Sequence, residues 1–555
     1  MNCNSIFKSI FILPLLAVSL LMTGCYETMW EDHVGKDKLS DSNLMEAIAK
    51  KAELSTFASL LKKTGYDQVL SQGNSYTVLA PTNTAWAGTD TTNVDQVRKL
   101  IGSLIVMKSY TTKDDQLYKS VKSVNGKNIF YDNETQTFNG AKIVTADINV
   151  SNGIIQIMDK IVERKNNIWE YLSENTAYSQ YTYINSLNTK VMDIEKSVAV
   201  GVEASTGKTK YDTVWTNTND FLKKYPLDNE DSVYTYVVVE NSGFDLLYNK
   251  YKSYFNLSTP AKTDSLTRFN VCQDFVFKGI VDITKFDTLT NVDGVKVPFK
   301  DVVVSKSYTT SNGRVYVINE SNIKLKEKIK PVFIEGEAYT GATDPYYVFT
   351  RYKRWARGER DVVLSCGDYQ SDLITRTTTG LKDSLVYHTF FINSGLVANA
   401  ANFHIEYKAQ VNSSNYDVYY VAYDDTKADY DPAYTSFPFK VVQKLFMSLP
   451  GATPLKFGTS TSNRGVANNF SGENICFVGQ GRAGVKELTK LSRYNLAAIS
   501  QLVSTPVTTP GADVLTVPTT GKLTMWLCNT TLSNAASRQG LLFLDYIVLV
   551  PRINE

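Results

Sequence analysis

The sequence predicts a multidomain protein in which two tandem α+β domains precede a C-terminal all-β sandwich. Two sequence blocks recur at nearly one offset in the first half of the chain, and a period this long is typical of tandem domains rather than a solenoid. From Pro331 onward, short β-prone runs alternate with turn residues, which is typical of a sandwich. A third observation, an apolar leader that ends at a cysteine, predicts export.

Residues 1–24 are predicted to be a signal peptide. Lys8 precedes an apolar run over residues 10–22, which has the length of a secretory signal and is short for a membrane span. Met22-Thr23-Gly24-Cys25 follows, and small residues before a cysteine suit a lipoprotein signal peptidase. The segment resembles the bacterial lipobox. That resemblance implies that Cys25 becomes the lipid-bearing N-terminus and that the outer-membrane bilayer is the first partner.

Residues 25–39 are predicted to be a short tether that starts with acidic side chains. Glu27, Glu31 and Asp32 follow Cys25 closely. In Bacteroidota lipoproteins, acidic residues at this place resemble a surface-export signal. We therefore expect a lipid-anchored outer-membrane protein that faces the cell exterior.

The composition favours recognition over nucleic-acid binding. Lys and Arg number 58 and Asp and Glu number 56, so no excess of positive charge attracts a nucleic acid. The 34 tyrosines suit β-structure and binding surfaces. The remaining cysteines have no CxxC or zinc spacing, and both a C-terminal disulfide and buried free thiols stay open for them: Cys272, Cys366, Cys476 and Cys528.

Two blocks define the repeat. The first starts at Tyr76 and again at Tyr234, and the second starts at Ser151 and again at Ser311, so the offsets are 158 and 160 residues. The first block is a β-run followed by a helix cap. The second is a Ser-Asn-Gly turn, in which glycine supplies a positive φ, followed by a strand.

A helix followed by residues 76–86 and then residues 152–162 resembles the fasciclin domain. This implies a β-sandwich-like wedge with small helices, and a non-catalytic module for adhesion or ligand binding. The first copy is predicted over residues 40–163 and a degenerate second copy over 164–328, where Val239 replaces a proline and Asn319 an aspartate. The chain's three histidines lie outside both copies, whereas the family usually carries one in its middle segment. Trp86 and Phe244 are predicted to be core anchors.

Residues 331–555 are predicted to form the C-terminal β-sandwich. Its first run, residues 333–339, and its last, residues 543–551, are similar to the outer strands of jelly-roll carbohydrate-binding modules. That similarity implies a structural calcium ion near the first strand, with Glu335 or Glu337 as its ligand. Calcium is the only cofactor that the sequence suggests.

The segment that starts at Tyr346 interleaves aromatic residues with positive charges. One interpretation is a stacking platform for a glycan, formed by Tyr347, Tyr352 and Trp355. The other is a strand with one buried aromatic face, because aromatic residues at a period of two are ordinary strand composition.

No catalytic motif in the sequence indicates an enzyme. Residues 479–484 match GxGxxG, but the acid expected about 20 residues later is missing, so this segment is predicted to be a glycine-rich loop. The predicted function is therefore a non-catalytic surface lipoprotein for binding or adhesion, accessory to an outer-membrane nutrient importer of the SusC/SusD-like class and carrying a glycan or peptide ligand. The alternative is a dedicated glycan-binding protein that uses the C-terminal sandwich.

Overall fold

The computed structural model describes residues 42–71, 74–113 and 120–335 continuously, and shorter β segments between residues 338 and 554. Two separate hydrophobic clusters divide the continuous part into a first unit, residues 44–162, and a second unit, residues 168–329. A third cluster lies within residues 334–549 and defines the C-terminal unit.

The first unit combines four helices with a six-stranded sheet. Asn43 and Glu46 form a capping box at the first helix, which fixes where the chain turns helical. The helices are α1 (Leu44–Ala49), α2 (Ser55–Thr64), α3 (Tyr66–Leu70) and α4 (Val94–Ser103). The strands are β1 (Tyr76–Pro81), β2 (Ile105–Met107), β3 (Val121–Lys122), β4 (Asn128–Ile129), β5 (Tyr131–Asp132), β6 (Thr137–Phe138), β7 (Ala141–Val150) and β8 (Gly153–Met158).

The second unit repeats this plan and adds strands. Its helices are α5 (Ile168–Glu174), α6 (Ser179–Ser186), α7 (Asp220–Lys224), α8 (Asn241–Tyr251), α9 (Pro260–Gln273) and α10 (Leu325–Lys328). Its strands are β9 (Asn188–Met192), β10 (Val198–Val202), β11 (Thr209–Asp212), β12 (Trp215–Asn219), β13 (Tyr234–Val239), β14 (Val276–Lys278), β15 (Thr288–Thr290), β16 (Lys296–Pro298), β17 (Val304–Thr310) and β18 (Gly313–Ile318).

The central strands of the two units pair in the same way. β1 runs parallel to β8 with Tyr76 opposite Gly153, and β13 runs parallel to β18 with Tyr234 opposite Gly313. The orders β2-β1-β8-β7 and β14-β13-β18-β17 therefore correspond strand for strand. Both blocks of the sequence repeat lie in these central strands.

The turn before each second block uses glycine for a steric reason. Gly153 has a φ of +155° and Gly313 a φ of +150°, in the region that side chains avoid. A Cβ at Gly153 would lie 2.1 Å from the Tyr76 carbonyl oxygen, and a Cβ at Gly313 would lie 1.8 Å from that of Tyr234. The predicted requirement for glycine in the Ser-Asn-Gly turn is confirmed.

The asparagine of each turn fastens a helix to the sheet. Asn152 Oδ1 accepts a hydrogen bond of 2.8 Å from the Leu44 N–H, and Asn312 Oδ1 accepts one of 2.9 Å from the Ile168 N–H. Their Nδ2 groups donate to the carbonyl oxygens of Leu70 and Leu227. Backbone groups that the helices and strands leave open are satisfied in the same way in both units.

Two positions at which the second unit differs from the first keep their hydrogen bonds. Asn319 Oδ1 accepts from the Val303 N–H at 3.2 Å, as the Asp159 carboxylate accepts from the Lys142 N–H at 2.8 Å. Val239, unlike a proline, has an N–H. Oε1 of the fully buried Gln180 accepts a hydrogen bond of 2.6 Å from this N–H. The degenerate positions therefore carry no unpaired backbone group.

An arm of residues 188–219 separates α6 from α7 in the second unit. At the base of the arm, β9 pairs with β12, and in its outer part β10 pairs with β11. Each pair is a two-stranded antiparallel ladder. In the first unit, the corresponding helices α2 and α3 are separated only by Gly65. Its φ of +78° ends α2. The arm is thus an insertion that the first unit lacks.

The C-terminal unit is all-β in its described residues. Three of its sheets contribute to one buried cluster, and the inward side chains alternate along the strands, as in Tyr416, Val418 and Tyr420. The strands are β19 (Val332–Glu335), β20 (Gly341–Ala342), β21 (Val363–Asp368), β22 (Val386–Phe391), β23 (His404–Val411), β24 (Ser414–Ala422), β25 (Lys440–Ser448), β26 (Asn474–Arg482), β27 (Glu487–Lys490), β28 (Ser492–Tyr494), β29 (Val514–Val517), β30 (Gly521–Asn529), β31 (Leu542–Leu544) and β32 (Tyr546–Arg552).

The ends of this unit meet, since β19 pairs antiparallel with β32 and places Phe333 opposite Val548. The prediction of a glycine-rich loop is wrong for residues 479–482. These residues continue β26, because β25 offers a partner for each of them through Lys440 opposite Arg482.

Candidate functional site

A cleft of about 410 Å³ opens on the second unit beside the start of β17. Its volume falls in the range of small-ligand sites. Ile283 and Phe299 are buried beneath it, while Phe286 is 48% exposed. The lining consists of Ile283, Thr284, Lys285, Phe286, Asp287, Phe299, Lys300, Asp301, Val302 and Val304.

Backbone hydrogen bonds hold the two walls of the cleft together. The Asp287 carbonyl oxygen accepts from the N–H groups of Phe299 at 2.8 Å and Lys300 at 3.1 Å. Asp282 caps the turn below through the Thr284 hydroxyl and N–H, and these hydrogen bonds, the hydroxyl first, lower the pKa of the Asp282 carboxyl. The carboxylate therefore stays charged at neutral pH.

The charges in the cleft lining cancel. Lys285 and Lys300 stand with Asp287 and Asp301, and all four are exposed. A rim with balanced charges selects neither an anion nor a cation. Within the described residues, no group of three histidine, cysteine or acidic side chains is placed to hold a metal ion.

A buried ion pair lies deeper in the second unit. Asp274 is fully buried, and its Oδ1 lies 2.5 Å from Nζ of Lys328, whose side chain is 5% exposed. The Tyr251 hydroxyl donates to Asp274 Oδ2 at 2.8 Å. Burial raises the pKa of the Asp274 carboxyl, and the Lys328 charge opposes that shift. Because every partner comes from its own unit, this pair joins α9 to α10 and is structural.

Lys127 joins the first unit to the second. Its Nζ lies 2.5 Å from Oε2 of Glu170 and 2.5 Å from Oε1 of Glu230, and its side chain is 9% exposed. Arg164 also forms an ion pair with Glu170. The side-chain amide of Asn128 donates to the Glu230 carbonyl oxygen at 2.6 Å. The contact around Lys127 is therefore polar, and the Lys127 side chain itself is largely shielded from water.

We expect Lys127→Met to lower the free energy of unfolding by about 2 kcal/mol, less than for a fully buried pair because Glu170 remains one-third exposed. Burial alone would raise the pKa of Glu170, but hydrogen bonds from Lys127 and the Asn167 N–H lower it overall. A depressed folded pKa stabilises above the unfolded pKa, and that stabilisation disappears as the pH falls through the folded value.

Urea unfolding of wild type and Lys127→Met from neutral pH down to about pH 3 measures this effect. The difference in the free energy of unfolding between the two proteins should become smaller as the pH falls. Lys122→Met is the matched control, since the Lys122 pair with Asp231 is much more exposed. Equal losses for both variants would contradict a special role for Lys127.

The two predicted core anchors are confirmed. Trp86 is 5% exposed and stacks on Phe57, and Phe244 is fully buried. Most of the predicted site residues lie outside the described residues, namely Cys25, Glu337, Tyr347, Tyr352 and Trp355. Glu335 is the last residue of β19, with its backbone opposite Tyr546. Sequence reasoning missed the cleft because its walls come from separate turns with no shared motif.

The cysteines are partly accounted for. Cys272 is a buried free thiol, and burial raises its pKa, so it remains protonated. The backbones of Cys476 and Cys528 pair with those of Phe446 and Lys444 from opposite sides of β25.

Residues 52–164 match the Fasciclin domain family model. A relative in Synechocystis sp., the uncharacterized protein sll1735, is 30% identical over 128 residues, which are 22% of this chain and 96% of the relative. The chain belongs to the fasciclin family. The match covers the first unit almost completely, and fasciclin domains are non-catalytic modules typical of adhesion and cell-surface proteins.

Among solved structures, a FAS1 domain pair from the insect cell adhesion molecule Fasciclin I is 15% identical and covers 50% of this fasciclin chain and 98% of that chain. Its TM-score is 0.20, a value too low to support structural equivalence. The longest helix in the described part, α9 with 14 residues, is shorter than a bilayer span, and no described helix qualifies as one.

Proposed function

We propose that this protein is a non-catalytic binding protein of the outer-membrane surface, anchored by lipid at Cys25 and built from tandem fasciclin-like domains. The repetition of the first unit's strand order and register in the second unit supports the tandem domains, and the apolar leader that ends at Cys25 supports the anchor. The first unit belongs to a family that is typical of adhesion proteins. A second unit with the same central strands doubles the surface available for adhesion.

The C-terminal unit is proposed to be a jelly roll that stands beyond the fasciclin pair. Hydrogen bonds attach it to the second unit: the Ser413 N–H donates to the Tyr254 carbonyl oxygen at 3.2 Å and the Thr520 N–H to that of Asn256 at 2.7 Å. Ser413 is buried at this junction. A fixed junction lets the assembly present its surfaces in one orientation, which suits an accessory subunit of a SusC/SusD-like importer.

Anchoring and placement are tested together in cells that produce wild type, Cys25→Ala or Cys3→Ala. We expect protease added to intact cells to digest wild type and Cys3→Ala, and we expect Cys25→Ala to leave the membrane fraction. Cys3→Ala is the matched control, because it removes the other cysteine of the leader. Full protection of wild type from protease would contradict the exterior placement.

The partner is tested by purifying the lipoprotein with its neighbours and identifying them by mass spectrometry. Recovery of an importer subunit is the expected result, and failure to recover one contradicts the accessory role. Affinity electrophoresis on polysaccharides then examines the alternative: retardation of wild type that is lost in Trp355→Ala would instead support a dedicated glycan-binding protein.

A further inference from the structure

The second unit lacks a hairpin that the first unit has. In the first unit the sheet continues from β7 to β6 and β5, whereas in the described residues of the second unit it ends at β17. The chain takes 14 residues from Ile129 to Ile143 but only seven between the residues at the matching ladder positions, Val297 and Val304. The β5–β6 hairpin lies within this difference.

Phe138 is the side chain through which this hairpin enters the core of the first unit. It is 2% exposed, its ring centroid lies 4.8 Å from that of Tyr131, and its backbone pairs with Ala141 of β7. Beside it, the Ile143 N–H donates to the Gln136 carbonyl oxygen at 3.3 Å. An aromatic anchor and a short backbone ladder therefore hold the hairpin in place.

The cleft of the second unit lies at the place of the missing hairpin. Three of its lining residues hold the positions that contact the hairpin in the first unit: Phe299 that of Tyr131, Val302 that of Ala141 and Val304 that of Ile143. The cleft measures about 410 Å³, and Phe286 in its lining is 48% exposed. The second unit thus has an open cleft where the first has a buried aromatic side chain.

The backbone edge beside the cleft matches that of the first unit as well. Val303 directs its N–H and its carbonyl oxygen to Asn319, as its counterpart in β7 does to Asp159. Because these groups alternate in direction along an antiparallel strand, the Val304 N–H points to the outer side. A bulge shifts the register of β17 beyond Val304, and β7 has the same bulge beyond Ile143, so both edges offer the same short stretch before it.

We propose that the cleft and the edge of β17 bind an extended peptide segment of a partner protein, with one phenylalanine in the cleft and the peptide backbone antiparallel to β17. In this mode of recognition, backbone hydrogen bonds give affinity and side-chain pockets give specificity. The balanced charges of the rim match uncharged neighbours of the phenylalanine, as Gln136 and Thr137 are in the first unit. Such binding rests on the non-catalytic binding function proposed above, but it requires neither the lipid anchor nor an importer.

A fluorescent, end-capped peptide with the uncharged sequence of residues 135–141 tests the site by fluorescence anisotropy with the full chain purified in detergent. We expect saturable binding, and roughly tenfold weaker binding of the same peptide with Phe138→Ala, because the ring supplies most of the apolar contact. Phe286→Ser in the protein should weaken binding of the unchanged peptide to a similar degree. Phe333→Ser is the matched control and should bind like wild type, because Phe333 is a phenylalanine of the C-terminal unit that is 60% exposed.

A chimera provides the second measurement. Replacing Lys300-Asp301 with residues 132–140 gives the second unit the hairpin of the first. This chimera should unfold at a higher urea concentration than wild type and should no longer bind the peptide. No binding by wild type, equal binding of the two peptides, unchanged binding by Phe286→Ser, or a chimera that is less stable or still binds would each overturn the proposal. These results are independent of anchoring and of importer recovery, because the purified protein is measured away from the cell.

Discussion

Lys328→Met is expected to lower the free energy of unfolding by about 4 kcal/mol at neutral pH, because it leaves the Asp274 carboxylate buried without its partner. The Tyr251 hydroxyl would remain as a donor, but one neutral hydrogen bond does not replace an ammonium group 2.5 Å away. Urea unfolding followed by circular dichroism measures the loss.

The pH dependence of this variant follows from the direction of the Asp274 pKa. Burial already raises that pKa, and removing Lys328 takes away the charge that opposes the shift. A carboxyl with a raised folded pKa favours the fold below its unfolded pKa, and this contribution disappears as the pH rises through the folded value. The loss caused by Lys328→Met should therefore be smaller near pH 4 than near pH 8.

Two further variants make the result specific. Lys324→Met changes the exposed lysine directly before the same helix, and we expect an effect within about 0.5 kcal/mol. Asp274→Asn combined with Lys328→Met removes both charges, and this double variant should be more stable than Lys328→Met alone. If the double variant is no more stable, lost packing and not an unpaired charge explains the single one.

Gln180→Leu is the second large effect, with an expected loss of about 3 kcal/mol. The substitution leaves the buried Val239 N–H without an acceptor and removes the donor to the Tyr236 hydroxyl, which lies 2.9 Å from Nε2. Each buried polar group left unpaired costs roughly 1–3 kcal/mol. The unfolding midpoint in urea again reports the change, with Gln68→Leu at an exposed position of α3 as control.

A rescue by proline tests the cause. Pro81 holds the position in the first unit that Val239 holds in the second, and proline has no N–H to satisfy. Val239→Pro should therefore recover part of the stability that Gln180→Leu loses. No recovery would indicate that the Tyr236 contact and the packing of the glutamine side chain dominate.

The sequence allowed the repeated parts of the fold to be predicted because they depend on local rules. The Ser-Asn-Gly turns, the strands after them and the burial of Trp86 and Phe244 follow from periodicity, turn chemistry and aromatic size. The same rules failed at residues 479–482, where glycines suggested a loop and pairing with β25 keeps a strand.

The compensating and charged contacts were not predictable from one sequence. Gln180 and Val239 are 59 residues apart, and nothing local to either indicates that one accepts a hydrogen bond from the other. Asp274 and Lys328 are likewise brought together only by the packing of α9 against α10. The valines of β10 look like core residues in the sequence, and only the fold shows that they are exposed.

The base of the arm has a consequence for engineering. Asn188 and Asn219 pair directly, so the insertion leaves and re-enters the unit at neighbouring points. Loop-closure entropy changes slowly with length, and a segment with adjacent ends can be exchanged without stretching the core. This position is therefore a natural graft point: a reporter domain with close termini, or a single glycine as in the first unit, should be accepted there.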